Sequence, residues 1–179
     1  LRKDGAEDIL PFYILAPKDQ PTNNVCFLAP TLTYLAYANH ARGNCNDALR
    51  ERMNLWGASQ YNADDFPQFS RSTYNYHPDG TGISFSSRLR PTLTVRPAYL
   101  TFCDPAGSGL RHFSADSHLM YWLESKGIGY DVITDDDLDD EGIDLLQGYD
   151  VLLTGSHPEY HTRKMLDSLQ SYVDNGGKM

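Results

Sequence analysis

The chain has no run of about 18 apolar residues, the length that a helix needs to cross a bilayer, so no spanning helix and no membrane partner are expected. Basic residues are in deficit: 15 Lys and Arg stand against 24 Asp and Glu, a formal net charge of −9. Such a surface has few cations with which to release the counterions of nucleic acid, which argues against a phosphate-backbone partner. Cysteine is scarce, with only Cys26, Cys45 and Cys103, too scattered for a disulfide framework or a CxxC site. Cys26 and Cys103 stand in apolar runs, where a thiol is a small hydrophobe. That usage fits a reducing compartment and a cytoplasmic location. GxSxG, HExxH and Walker patterns are also missing, and Ser156 is followed by Pro158 where a nucleophile elbow needs glycine. Neither an initiator Met nor an apolar signal core accompanies Leu1-Arg2-Lys3-Asp4-Gly5, and we expect part of a longer polypeptide.

What is present is ordinary for a folded domain: 40% hydrophobic and 22% charged residues argue against disorder. Two halves differ in texture. Residues 1–95 form a β/loop-rich segment with many Tyr, Asn, Pro and Gly. Within it, Asn24 to Pro30 reads as a strand, and Leu32 to Tyr37 continues it with β-formers. Asn46 to Trp56 reads as a short helix stopped by Gly57. Residues 64–81 read as a long polar loop. From residue 96 to 179 strands and helices alternate. Ala98 to Cys103, Tyr130 to Thr134 and Tyr149 to Gly155 are strand-like. A helix capped by Ser114 or Asp116 carries Leu119, Met120, Trp122 and Leu123 and closes at Gly127. A short helix is expected around Ile143 to Gln147. Another runs from Thr162 to Tyr172, with Met165, Leu166, Leu169 and Tyr172 on one side and Gly176-Gly177 at its end. Alternation with short connections predicts an α/β fold with a parallel sheet and right-handed crossovers, and a further strand is expected after Gly177.

In such sheets, ligands gather at the carboxyl ends of the strands. The ends here are Cys103-Asp104-Pro105, Thr134-Asp135-Asp136 and Gly155-Ser156-His157-Pro158-Glu159-Tyr160. The last concentrates the chemistry: His157 can move a proton, and Glu159 can act as a base or bind a metal. The same spacing also fits a capping box in which Ser156 and Glu159 open the next helix. The run from Asp135 to Glu141 is not a calcium loop, because Asp140 stands at the glycine position and Leu146 at that of the bidentate acid. A solvated acidic helix cap is expected there. In a strand, Tyr34 and Tyr37 would face opposite sides, so at most one would face a given site. Tyr74, Tyr76, His77 and Asp79 share one loop, which reads equally as a tyrosine-rich turn held by Asp79-Gly80.

Three stretches, in this order, resemble the large (beta, catalytic) subunit of N,N-dimethylformamidase. They are Pro30-Thr31-Leu32-Thr33-Tyr34-Leu35-Ala36-Tyr37-Ala38-Asn39, then Ser72-Thr73-Tyr74 with Asp79-Gly80-Thr81-Gly82 through Ser86-Ser87-Arg88-Leu89-Arg90-Pro91, and Leu153-Thr154-Gly155-Ser156-His157-Pro158-Glu159-Tyr160. The resemblance implies hydrolysis of the C–N bond of dimethylformamide to dimethylamine and formate. It implies a mononuclear iron, as Fe3+, held by two tyrosines and one glutamate. It also implies a truncated domain similar to class I glutamine amidotransferases (flavodoxin-like) over residues 96–179, a small second subunit and homo-oligomerisation. On this chain the glutamate falls at Glu159, the nearby histidine at His157 and the first tyrosine at Tyr37. The second tyrosine falls at Tyr74, with Tyr76 two places on as its alternative. Phenolate and carboxylate are hard donors that suit ferric iron. Rival readings are a non-catalytic α/β binding or assembly module without metal, and a cysteine- or serine-based amidohydrolase with its nucleophile beyond Met179.

Overall fold

Pro30 and the residues on either side of it set the start of the architecture. Val25 to Ala29 is an apolar β-forming run, and Pro30, which cannot donate to a sheet ladder, ends it. The computed structural model describes residues 2–17, 20–101 and 107–179. In chain order its elements are β1 (Arg2–Lys3), β2 (Ala6–Glu7), β3 (Val25–Ala29), α1 (Thr31–Tyr37), α2 (Asp47–Trp56), α3 (Phe113–Ser125), β4 (Asp131–Thr134), α4 (Asp135–Glu141), β5 (Val151–Thr154) and α5 (Arg163–Asp174). Single 3-10 turns lie at Ala63–Asp65, Pro67–Phe69 and Gly142–Leu146. The chain divides into two units, one of Leu1–Pro11 with Tyr34–Ser117, the other of Phe12–Thr33 with His118–Met179. Among the described residues no helix is long and apolar enough to cross a membrane.

The second unit holds a three-stranded parallel sheet in the order β4-β3-β5, with Leu28 opposite Ile133 and Cys26 opposite Leu152. Its central strand, β3, comes from the segment that composition sets apart as β/loop-rich. The period of two puts Cys26, Leu28, Ile133 and Leu152 on one face. They pack there with Leu138 of α4, Leu146, Tyr149, and Met165, Leu169 and Tyr172 of α5. Burying each such aliphatic side chain stabilises the fold by about 1.5–3 kcal/mol. Lys178 forms a parallel bridge to Val151, so the chain re-enters the sheet beside β5 after Gly177.

The expected elements β3, α2, β4, β5 and α5 are present. Asn46 caps α2 by accepting from the Leu49 N–H at 3.0 Å, and Gly57 stops it at φ 61°.

Five expectations need correction. Leu32 to Tyr37 is helix α1, not strand. Its Thr and Tyr residues favour strands only weakly, and the Asp135 carboxylate supplies an acceptor at 2.9 Å for the Leu32 N–H in its first turn. The described part of the Ala98 to Cys103 run is not strand either. Ala98 sits at φ 57°, outside extended geometry, and Leu100 packs against α2; Cys103 lies outside the described residues. The acidic run is itself helix α4, capped by Thr134 rather than serving as a solvated cap, and Asp135 is buried. Ser114 and Asp116 lie inside α3 rather than capping it, and of the expected stripe Leu123 is buried whereas Trp122 is exposed. Leu166 is exposed because the buried stripe of α5 runs 165, 169, 172 and position 166 lies about 100° off it.

In the first unit, few regular elements hold long loops, and side chains take over the backbone's hydrogen bonding. Leu49 and Met53 of α2 pack with Ala58 and Leu100. The Asp64 carboxylate accepts from the N–H groups of Gly43, Asn44 and Cys45 at 2.9, 2.8 and 2.9 Å. The buried Arg96 guanidinium meets Asp8 through two bonds of 2.7 and 2.8 Å. The Tyr99 hydroxyl accepts from the Ala63 N–H at 3.0 Å, and desolvation pushes its pKa up to about 12.

Candidate functional site

Because α1 is a helix, Tyr34 and Tyr37 stand three residues apart on one side of it. Both line one cleft of the first unit, together with His40, Thr94, Val95, Thr101, Arg111, His112 and Phe113. The expectation that at most one of the two would face a site therefore fails, for the reason that corrected α1. Tyr34 is tied down: its hydroxyl donates to the buried Asp116 carboxylate, and its ring meets Phe113 edge-on at 5.8 Å.

Tyr74 is brought to Tyr37 by a turn pinned to the end of α1. The Thr73 N–H and hydroxyl both donate to the Ala36 carbonyl, at 3.2 and 2.9 Å. The buried Ser72 hydroxyl accepts from the Tyr74 N–H at 3.0 Å. The two tyrosine rings stack with centroids 4.0 Å apart and planes 12° from parallel. Tyr76 points elsewhere: it pairs with Gly82 in the outer turn and is 67% exposed. His112 also stacks on Tyr37 at 4.2 Å, and the Arg111 guanidinium lies 5.2 Å from that ring's centre. His40 lies within 6.2 Å of Tyr37 and 5.9 Å of Tyr74. Its pKa is lowered by desolvation and then by Arg42 and Arg111, which favours the neutral ring with a free lone pair. Its buried Nδ1 makes no hydrogen bond among the described residues.

His157 and Glu159 lie in the second unit, where β5 gives way to a loop over residues 155–161. The helix cap expected at Ser156 is not formed; Thr162 caps α5 instead, accepting from the Met165 N–H at 3.1 Å. Residues 156–161 are thereby left free of helix geometry. His157 Nε2 and Glu159 Oε2 are 3.0 Å apart, and both side chains are partly exposed, at 47% and 38%. The backbone of the loop is held from β3's side of the unit: the N–H groups of Glu159 and Tyr160 both donate to the Thr33 hydroxyl, at 3.0 and 3.3 Å.

Sequence reading missed His40, Arg111, His112 and Thr33. His40 had a signal, standing three residues after Tyr37. Arg111 and His112 had none, being 74 and 75 positions away from it. Thr33 was hidden by its placement in a supposed strand.

Two further groups, Cys26 and Asp131, have structural explanations. Burial, with Asp131 adding to it, pushes the Cys26 thiol up to about 12, so it is not a nucleophile at neutral pH. The Asp131 carboxylate accepts from Thr22, Asn23 and Tyr149 and ties residues 22–23 to β4. No three His, Cys, Asp or Glu side chains come together as a metal cage among the described residues. Tyrosine oxygens are a different donor class, and Tyr37 and Tyr74 bring two phenol rings together.

The whole chain, residues 1–179, matches a family described as N,N-dimethylformamidase beta subunit-like, C-terminal. Among curated proteins, the N,N-dimethylformamidase beta subunit of Paracoccus aminophilus is 36% identical over 183 residues, covering 99% of this chain and 23% of that protein. The N,N-dimethylformamidase beta subunit of an Alcaligenes species is 35% identical with the same coverage. The chain thus spans about a quarter of the length of these relatives.

Proposed function

Because the chain belongs to the N,N-dimethylformamidase beta subunit-like family, we propose that it is part of an amide hydrolase that cleaves the C–N bond of small uncharged amides such as N,N-dimethylformamide. The products from that amide would be dimethylamine and formate. The observation that supports a metal-assisted reading is the stacked pair of Tyr37 and Tyr74, brought together from positions 37 residues apart in sequence. Phenolate and carboxylate are hard oxygen donors, and the metal proposed is a mononuclear ferric ion held by Tyr37, Tyr74 and Glu159. The His40 ring, whose pKa is lowered, lines a cleft beside Tyr37. When bound, iron would polarise the amide carbonyl and acidify water.

The chain's own residues divide the remaining work. His157, whose Nε2 pairs with Glu159 at 3.0 Å, would orient water or stabilise the carbonyl oxygen as charge develops there. Tyr34, which is fixed by Asp116, forms with Phe113 and Val95 the apolar part of the cleft's lining, beside the polar His40, Arg111 and His112. For residues 96–179 we propose part of a glutamine amidotransferase-like (flavodoxin-like) domain; a parallel sheet supports that reading, although its central strand β3 comes from outside this range. Because the relatives are named as beta subunits, a second subunit is the proposed partner. Its small size, homo-oligomerisation and a cytoplasmic location are proposed from the family resemblance and the cysteine usage, not from those names.

The test is metal content and visible absorption of the full-length protein. A tyrosinate-to-iron band should be present, and it should be lost or shifted in Tyr37→Phe and Tyr74→Phe but kept in Tyr76→Phe. Glu159→Gln should lower iron content and activity together. A band unchanged in both tyrosine variants would overturn the ligand assignment.

A further inference from the structure

We infer that Thr33 is a positioning residue that sets the backbone of the Glu159 loop. Residues 155–161 follow a strand and precede a helix but belong to neither, so their N–H groups lack a ladder to join. Two consecutive N–H groups, of Glu159 and Tyr160, converge on one side-chain oxygen, Thr33 Oγ1, at 3.0 and 3.3 Å. Thr33 is 0% exposed, so water does not compete for that oxygen. A helical threonine divides between two χ1 rotamers, and here burial together with the two N–H donors holds the hydroxyl in the one that faces the loop, which makes it a fixed point.

The fixed point is itself anchored. Thr33 lies in α1, whose first turn is held on β4's side by two carboxylates. Leu32 N–H donates to Asp135 at 2.9 Å, and the Thr31 hydroxyl donates to Asp136 at 3.3 Å. The chain of contacts runs from the end of β4, through the start of α1, to the loop after β5. The carboxyl ends of strands in one sheet are thereby cross-tied by side chains. Thr33 touches no reacting group; it acts through the backbone of Glu159, whose carboxylate pairs with His157 at 3.0 Å. For the iron centre this inference rests on the reading above, but the placement of the loop does not.

The experiment uses the full-length protein with Thr33→Val, which keeps the shape and removes the acceptor, and Thr33→Ser, which restores it. Amide hydrogen exchange, read at Glu159 and Tyr160 in metal-stripped protein, should accelerate at least about tenfold in Thr33→Val and stay near the wild-type rate in Thr33→Ser. In iron-loaded protein the visible band should weaken or shift in Thr33→Val and recover in Thr33→Ser, at matched melting temperature. Exchange unchanged in Thr33→Val overturns the inference. Should that variant not fold, the wild-type rate decides, because unprotected amides at Glu159 and Tyr160 overturn it equally. A wild-type protein that binds no iron sinks the proposed metal centre, while the exchange result still judges Thr33.

Discussion

Asn39 is the second residue beyond α1 and sits at φ 59°, a conformation that Asn tolerates better than most side-chain-bearing residues. Its buried amide donates to the carbonyls of Phe69, Ser70 and Pro91 and accepts from the Leu93 N–H, with distances between 2.7 and 3.1 Å. One side chain thus ties two loop segments, residues 69–70 and 91–93, to the end of α1. Asn39→Ala strands these backbone groups, and we expect a loss of about 2–4 kcal/mol, measured as a fall in the urea midpoint at constant slope. Asp135 makes a second single-residue prediction. Desolvation raises its pKa from 3.8 to about 7, with Asp136 adding to it, although the Leu32 N–H pulls the other way. The folded state therefore holds this proton more tightly than the unfolded one. Its contribution to stability is full below about pH 3.8 and declines as pH rises through 7. Asp135→Asn keeps an acceptor for Leu32 and removes the charge, so its stability should lose that decline between pH 4 and 7. Parallel pH slopes in the two proteins would refute the assignment.

At the scale of elements, helix starts are fixed by short local patterns, and these were largely legible. Asn46 with Gly57 marks α2 without tertiary information, as does Gly127 for the end of α3. The start of α5 shows the ambiguity that remains. Ser156 and Thr162 are both capping residues six positions apart, and Thr162 takes the role while also donating to Asp139 at 2.5 Å. Thr162→Ala should cost about 1 kcal/mol, seen as a lower thermal midpoint. Ser156→Ala should leave it unchanged if Thr162 is the sole cap of α5. Element α1 was misread because its seven residues alternate Thr and Tyr with Leu and Ala, which local propensity cannot separate from a strand. The partners that settle it, Asp135 and Asp136, lie about 100 positions downstream.

For the whole molecule, ligand binding and stability are linked. A metal that binds only the folded protein raises its melting temperature by mass action. Iron-loaded full-length protein should therefore melt several degrees above the chelated form, with the difference growing as free iron rises and vanishing in the Tyr37→Phe, Tyr74→Phe double variant. Identical melting curves would count against the proposed centre. The formal charge of −9 sets a companion expectation of no measurable retention on polyanionic resin at physiological salt.

The residues of the chain by themselves determined its acidity, the scarcity of its cysteines, and most helix and strand segments, because composition and periodicity act over a few neighbours. They also carried the family resemblance and singled out Tyr37, Tyr74, His157 and Glu159 as the positions to examine. Tertiary structure alone decided that β3 is the central strand, that α1 is a helix, that Tyr74 rather than Tyr76 stacks on Tyr37, and that Thr33 holds the Glu159 loop. Each of these depends on a contact between residues 37 to 126 positions apart. Such pairings cost loop-closure entropy and are repaid only by burial and hydrogen bonding in the folded chain, and no local pattern encodes them.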